Sequence, residues 1–314
     1  MRTLIFIAIA GFAAQLVDGG LGMGFGVTST TILVILAALS PAAASAVVHT
    51  AEVGTTLASG ISHWRFGNVD WKVVLKIGLP GAVGAFLGAT LLSSLSTAAA
   101  KPIMGIILAA IGINLVLRFS RGRVKRNYSA RPHSAAFLGI LGLGGGFVDA
   151  TGGGGWGPVT TSTLMTLGRS EPRRIVGTVN TAEFLVSLAA TLGFVLGLWE
   201  DLVANLSAVI ALLIGGMIAA PIAAWLISRI NPAALGGIVG TLLVLLNLPK
   251  VLSSLGVDDT WLWVARAVIL VAGVGLSALG TVRARRNAAE LARSEAEHSL
   301  TAAPEAPEPA RVPR

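Results

Sequence analysis

The fold turns on two glycine-rich stretches, Asp18-Gly-Gly-Leu-Gly-Met-Gly-Phe-Gly-Val-Thr-Ser-Thr30 and Asp149-Ala-Thr-Gly-Gly-Gly-Gly-Trp-Gly-Pro-Val-Thr-Thr161. Neither can stay helical through so many glycines, each of which costs a helix about 1 kcal/mol relative to alanine. Both lie between apolar segments, and backbone freed from a helix at membrane depth is tolerated only where protein buries it or it lines a wet cavity. The spacing predicts that a helix resumes near Val27 and near Pro158, proline suiting a first turn because its missing N–H has no helical partner there. Such a start presents unpaired N–H groups and the positive end of the helix dipole, and the glycines let an anion approach the backbone. Gly24, Gly26, Thr28, Ser29 and Thr30, with Gly155, Gly157, Thr160 and Thr161, are therefore the candidate substrate-binding residues. Asp18 and Asp149, just before the breaks, are expected to structure the loops, because their charge would repel an anion.

Working outward, an offset of 131 aligns residues 11–60 with 142–191 without a gap and gives 16 identities in 50 positions. The chain is a duplication. Thr50-Ala-Glu52 meets Thr181-Ala-Glu183, and Pro41 meets Pro172. A four-residue insertion then moves the offset to 135, where Gly81, Ser93 and Gly105 meet Gly216, Ser228 and Gly240.

The apolar residues, 54% of 314, gather into charge-free runs such as Ile77 to Ala100, Leu202 to Ser228 and Ile230 to Pro249. Runs of this length span a bilayer. A charged fraction of 12% excludes an ordinary soluble domain. The fold class expected is an all-α polytopic membrane protein of two inverted repeats, each a Gly-broken helical hairpin plus three transmembrane helices, with one extra C-terminal transmembrane helix. The helices after the breaks are predicted over 42–62, 73–95 and 98–118, then 173–198, 202–228 and 232–252, with the extra one over 261–281. The division is 1–120 for the first repeat, 121–132 for a basic cytoplasmic linker, 133–256 for the second repeat, 257–282 for the extra helix and 283–314 for a disordered tail. Residues 1–20 imitate a signal peptide, but their place in the repeat argues against cleavage.

Charge sets the orientation. The formal net charge is +8, with basic residues gathered at 118–131, at Arg169, Arg173 and Arg174, and at Arg283, Arg285 and Arg286. Glu200 with Asp201 and Asp258 with Asp259 occupy other connections. Basic loops stay cytoplasmic, so segment 134–168 enters and returns on one side, as a hairpin of two short helices. Pro41 then starts outside and Pro172 inside, which inverts the halves; Arg2 at an external N-terminus is a small dissent. Trp64, Trp71, Trp199, Trp261 and Trp263 fall near span ends, where indoles favour the interface. A basic RNA-binding loop over 118–131 is outweighed by the flanking helices, so no nucleic-acid partner is expected.

His49 and Glu52, matched by Asn180 and Glu183, lie three apart on one helical face. A carboxylate inside a membrane segment marks function by default. These four are the candidate proton-coupling or site-shaping residues, the alternative being that each Glu pairs with freed backbone N–H groups. The close pairs Gly84 and Gly88, Gly139 and Gly142, and Gly236 and Gly240 are read as helix-packing contacts. No Gly-Lys-Ser/Thr follows either glycine run and no dinucleotide fingerprint is complete. With no cysteine, no HExxH, no Gly-x-Ser-x-Gly and no dense His/Asp/Glu cluster, no catalytic residue, metal or cofactor is expected.

Gly22-Met-Gly24-Phe-Gly26 and Gly153-Gly-Gly-Trp156-Gly157-Pro158, each followed by Ser/Thr and then Thr-Ala-Glu, resemble the TauE/SafE family of sulfite exporter-type permeases, over about residues 4–256. The first copy departs from the pattern with Val27 in place of proline, and the second with Asn180 in place of histidine. The resemblance implies a secondary transporter in the bacterial inner membrane that moves small sulfur-containing anions, such as sulfite or organosulfonates, outward. Its partners would be the anion and the lipid bilayer, with self-association left open. A passive anion channel and a membrane scaffold or intramembrane enzyme are the competing readings.

Overall fold

The computed structural model describes residues 2–122, 132–167, 169–226 and 232–301. Among these there is no strand. The helices are α1 (Arg2–Leu21), α2 (Phe25–Leu36), α3 (Pro41–Arg65), α4 (Trp71–Ser94), α5 (Thr97–Ser120), α6 (Ala135–Gly152), a π turn (Gly157–Thr161), α7 (Ser162–Leu167), α8 (Pro172–Ala204), α9 (Leu206–Leu226), α10 (Pro232–Ser254) and α11 (Asp259–Thr301). Local chemistry sets the starts. Ser40, Asp70, Ser96 and Ser134 each accept a backbone N–H of the first turn, and Pro41 and Pro172 stand in the first turns of α3 and α8.

Six helices among the described residues are long and apolar enough to cross a membrane: Trp71–Ser94, Thr97–Ser120, Ala135–Gly152, Arg173–Ala204, Gly236–Ser254 and Asp259–Ser294. The chain is a multi-pass membrane protein. α3 does not stand out as a span because it carries Ser, Thr, His and Glu, yet every residue from Pro41 to His49 is buried. That N-terminal stretch, buried on every side, belongs to the centre of the bundle.

Partners across the bundle are exchanged between the halves. α1 of the first half packs on α9 of the second, and α6 of the second packs on α4 of the first. α3 packs on α8 and α5 on α10. The approaches are close because glycine lines them: a Cβ at Gly142 would sit 2.2 Å from the Ile77 carbonyl oxygen, and one at Gly240 2.7 Å from that of Gly112. In a membrane, where lipid is as apolar as leucine, such small-residue contacts hold helices together. Registers give the directions. Ser59 faces Asn180 while Glu52 faces Ser187, so α3 and α8 run antiparallel. Gly105 faces Val251 while Gly112 faces Val244 and Gly240, so α5 and α10 do the same.

The structure departs from expectation at two helices. α8 continues to Ala204, but Leu198 leaves helical geometry (φ −136°, ψ 32°), so a kink stands at the expected end. α11 does not stop near 282 but runs on to Thr301. The segment Asn287–Thr301 is rich in Ala, Glu and Leu, all good helix formers, and meets no proline before Pro304. The rest of the expected disordered tail, and the basic residues Arg123, Lys125, Arg126 and Arg131 of the linker, lie outside the described residues.

Candidate functional site

Both glycine stretches break the helix at the same aligned place. In the first, α1 ends at Leu21, and Gly22 and Gly24 take positive φ (65° and 133°) before α2 starts at Phe25. In the second, α6 ends at Gly152, and Gly153 and Gly154 take φ of 69° and 130°. The helix then restarts as a π turn, in which Ser162 N–H reaches back to the Gly157 carbonyl. π turns concentrate at functional sites. The first restart comes two residues before Val27 and the π turn one residue before Pro158, where the Asp149 side chain, described next, holds the chain sooner.

The two breaks cross each other. Thr30 Oγ1 donates to the Gly153 carbonyl, and Thr161 Oγ1 donates to the Gly22 carbonyl at 2.9 Å. Since 30 aligns with 161 and 22 with 153, this is one contact made twice. At the crossing a Cβ on Gly26 would lie 2.7 Å from Gly154 Cα and 2.9 Å from Glu52 Oε1. One on Gly157 would lie 2.6 Å from the Gly22 carbonyl oxygen and from Met23 Cα. Only glycine fits at either place.

Asp149 ties the second break. Its Oδ1 accepts the backbone N–H groups of Gly155 (2.7 Å) and Trp156 (2.8 Å), and its Oδ2 lies 3.0 Å from His49 Nε2. His49 Nδ1 lies 2.8 Å from the Ser45 carbonyl, which can only accept, so Nδ1 carries a hydrogen. One further proton is then shared between Nε2 and Oδ2. Ser45 Oγ donates to the Ala150 carbonyl at 2.9 Å, and the Phe194 ring stands 5.9 Å from the imidazole. Asp18, the equivalent of Asp149, is likewise buried beside its break.

Glu52 is 2% exposed, and its Oε2 is 3.5 Å from Ser187 Oγ. Glu183, 7% exposed, lies within electrostatic range of Asp18, Glu52 and Asp149. Asn180 donates through Nδ2 to Ser59 Oγ at 3.3 Å, and its buried Oδ1 has no partner. Thr160 Oγ1 donates to the Trp156 carbonyl, while the buried hydroxyls of Thr28 and Ser29 have no partner.

The structure thus brings the glycines and threonines of both breaks, the two Asp and the His49, Glu52, Asn180 and Glu183 set to one buried centre. Thr30, Thr160 and Thr161 spend their hydroxyl hydrogens on backbone carbonyls, and the N–H groups at the second restart are taken by Asp149. The absence of a His/Asp/Glu cluster, read from spacing, is corrected in space: ligand atoms of His49, Glu52 and Asp149 lie within 4.8 Å of one another. Separation along the chain hid it. A metal ion there would have to replace the proton between His49 and Asp149. The sequence reading also missed Ser45, Ser187 and Trp156, whose indole Nε1 donates to the Val179 carbonyl at 3.1 Å. Ser45 precedes His49, and Ser187 follows Glu183, by four positions on the same helical face, a signal that the spacing carried.

Comparison with known proteins agrees with this architecture. The chain is 46% identical over 252 residues to "Probable membrane transporter protein YtnM" of Bacillus subtilis (strain 168), covering 79% of this chain and 82% of that one. It is 26% identical over 168 residues to "Probable membrane transporter protein YdhB" of the same organism, covering 53% and 68%. No solved structure matches. The model of the family described as Sulfite exporter TauE/SafE matches residues 7–249, which takes in both breaks and all of the buried centre, and the chain belongs to that family of membrane transporters.

Proposed function

We propose that the protein is a secondary carrier that moves small sulfur oxyanions, sulfite or organosulfonates, out of the cell through the crossing of the two breaks. The observation that carries this reading is the reciprocal pair of threonine bonds, Thr30 to Gly153 and Thr161 to Gly22. Interrupted helices at equivalent places in two halves are the recurring transporter site. The antiparallel pairing of α3 with α8 and of α5 with α10 supports inverted halves, since a two-fold axis between antiparallel equivalents lies in the membrane plane. Such halves can rock about the crossing and open it to either side in turn.

The charge at the centre bears on mechanism. Asp18, Glu52, Asp149 and Glu183 against the single His49 would leave three uncompensated negative charges if all were ionised. Holding them in the membrane interior costs several kcal/mol each. Protons therefore occupy part of the set, and a protonated carboxyl is a hydrogen-bond donor. Glu52 at Gly26, and Glu183, would as acids donate to the oxygens of an anion, and the unpartnered hydroxyls of Thr28 and Ser29 at the first restart would be further donors. As carboxylates they would repel it. Proton occupancy thus gates anion entry, and Glu52 and Glu183 act as coupling groups. Outward movement needs no ATP: a monoanion leaving a cell negative inside gains about 2.3 kcal/mol per 100 mV.

The test is flux of labelled sulfite in liposomes holding the purified protein, with and without an imposed pH gradient and with sulfate, taurine and sulfoacetate as competitors. Saturable counterflow that responds to the gradient, and loses that response in Glu52→Gln, is expected. Single-channel currents would replace the carrier by a channel, and no flux of any of these anions would overturn the reading.

A further inference from the structure

Among the described residues, Arg118 is the guanidinium with a buried nitrogen left without a hydrogen-bond partner. It stands in the last turn of α5, half-buried, at the basic end of the bundle. Its Nη1 is fully enclosed and has no hydrogen-bond partner. Its Nη2 donates at 3.2 Å to the thioether of Met165 on α7, a weak acceptor. The guanidinium carbon lies 5.4 Å from the centre of the Phe119 ring. None of the ion pairs among the described residues includes Arg118.

A buried guanidinium without a counter-ion is costly, and the pairing that relieves it best is bidentate, to a planar or tetrahedral oxyanion. The position favours one on the transport path. Met165 lies four residues, about 6 Å along a helix, beyond Thr161, which bonds the opposite break. The end of α5 that carries Arg118 is fixed by α11, Arg283 Nη1 donating to the Ser120 carbonyl at 3.1 Å and Asn287 Nδ2 to that of Gly122 at 2.8 Å. Nor is the feature a by-product of duplication, because the offset of 135 places Ser253 opposite Arg118. Among the described residues it stands at one mouth, the one that the basic loops assign to the cytoplasm.

We propose that Arg118 is a docking subsite for the transported oxyanion at the cytoplasmic mouth, occupied before the anion reaches the crossing. This rests on the carrier reading for its role, but binding itself is tested apart from flux. A cation that merely anchors the helix at the interface would be served equally by lysine, whereas a fork for an oxyanion would not.

The experiment is thermal unfolding of the purified full-length protein in phosphatidylcholine nanodiscs, titrated with sulfite, with sulfate and with chloride. Sulfite or sulfate is expected to stabilise the wild type. Arg118→Lys should shift the half-maximal concentration at least tenfold upward, Arg118→Gln at least as far, and the exposed control Arg121→Gln not at all. Should Arg118→Gln fail to fold, Arg118→Lys decides. Equal midpoints for wild type and Arg118→Lys, or no response of the wild type to either oxyanion, overturn the proposal. So does stabilisation by phosphatidylglycerol that Arg118→Lys removes without any response to sulfite, which would make the ligand a lipid phosphate. Absence of flux with a retained, Arg118-dependent response would overturn the carrier reading and leave the binding site.

Discussion

Replacing Asp149 by alanine removes three contacts at once: the N–H groups of Gly155 and Trp156 lose their acceptor at 2.7 and 2.8 Å, and His49 Nε2 loses its partner at 3.0 Å. All three groups are buried, so water cannot replace what is lost. A buried polar group left unmade costs about 1–3 kcal/mol, so the change should cost about 3–9 kcal/mol, a large part of a folded protein's total stability. Asparagine separates the contributions. Its Oδ1 still accepts both backbone N–H groups, and its amide can donate to Nε2, which is free to accept because Nδ1 holds the ring hydrogen against the Ser45 carbonyl. Asp149→Asn should therefore cost about 1–3 kcal/mol. The penalty should grow in acid, where an imidazolium would face the amide hydrogens. The assay is reversible unfolding in mixed micelles followed by tryptophan fluorescence, at pH 8 and pH 5. If alanine falls within about 1 kcal/mol of the wild type, or asparagine costs as much as alanine, the claim that this carboxylate caps the second break is refuted.

Three further outcomes follow from the same geometry. Thr30→Val and Thr161→Val each remove one of two equivalent bonds across the crossing; a double-mutant cycle of sulfite counterflow should show the pair to be non-additive, while additive effects would mean that the two bonds act alone. Gly26→Ala pushes a methyl group to within 2.7 Å of Gly154 Cα and 2.9 Å of Glu52 Oε1, so it should abolish flux while surface expression persists; flux above a tenth of wild type would contradict the close crossing. Outside the spans, partial burial and then the charge of Arg169 hold the His133 imidazole below its ordinary value of 6.5. The unfolded chain takes up this proton more readily, so stability is lost as pH falls through that value and regained above it. His133→Asn should flatten that small dependence in unfolding curves at low salt, and an unchanged pH profile would refute the assignment.

Much of the architecture could be read before any coordinates, because membrane depth and glycine content are local properties. The breaks at Gly22–Gly24 and Gly153–Gly155 follow from helix propensity alone, and the aligned offset made them equivalent. What could not be read is which group meets which across the bundle. Thr30 and Gly153 are 123 residues apart, and His49 and Asp149 are 100 apart. Their meeting depends on how α2, α3 and α6 pack, which no short-range pattern encodes. The hydroxyls after the breaks illustrate the cost of that gap. Read singly, Thr30, Thr160 and Thr161 are donors for an anion, yet each finds a backbone carbonyl nearer to hand, leaving Thr28 and Ser29 as the free pair. The far end of α11 fails for a different reason. Its proline-bearing tail suggested disorder over 283–314, but the residues before Pro304, rich in alanine and glutamate, carry no breaker, and the helix continues to Thr301.

The exchange of partners between the halves sets a schedule for biosynthesis. α1 leaves the ribosome first, yet the helix it packs against, α9, begins at Leu206, about 185 residues after α1 ends at Leu21. At a synthesis rate of about 5–20 residues per second the first helix waits roughly 10–40 s for its neighbour. During that interval its glycine-bearing side, with Gly11 shaped to receive the Leu212 backbone, has only lipid, the insertion machinery or a chaperone to lie against. The nascent first half is thus an incomplete body, and a chain truncated before α9 should be handed to quality-control proteases rather than persist as a stable half-carrier.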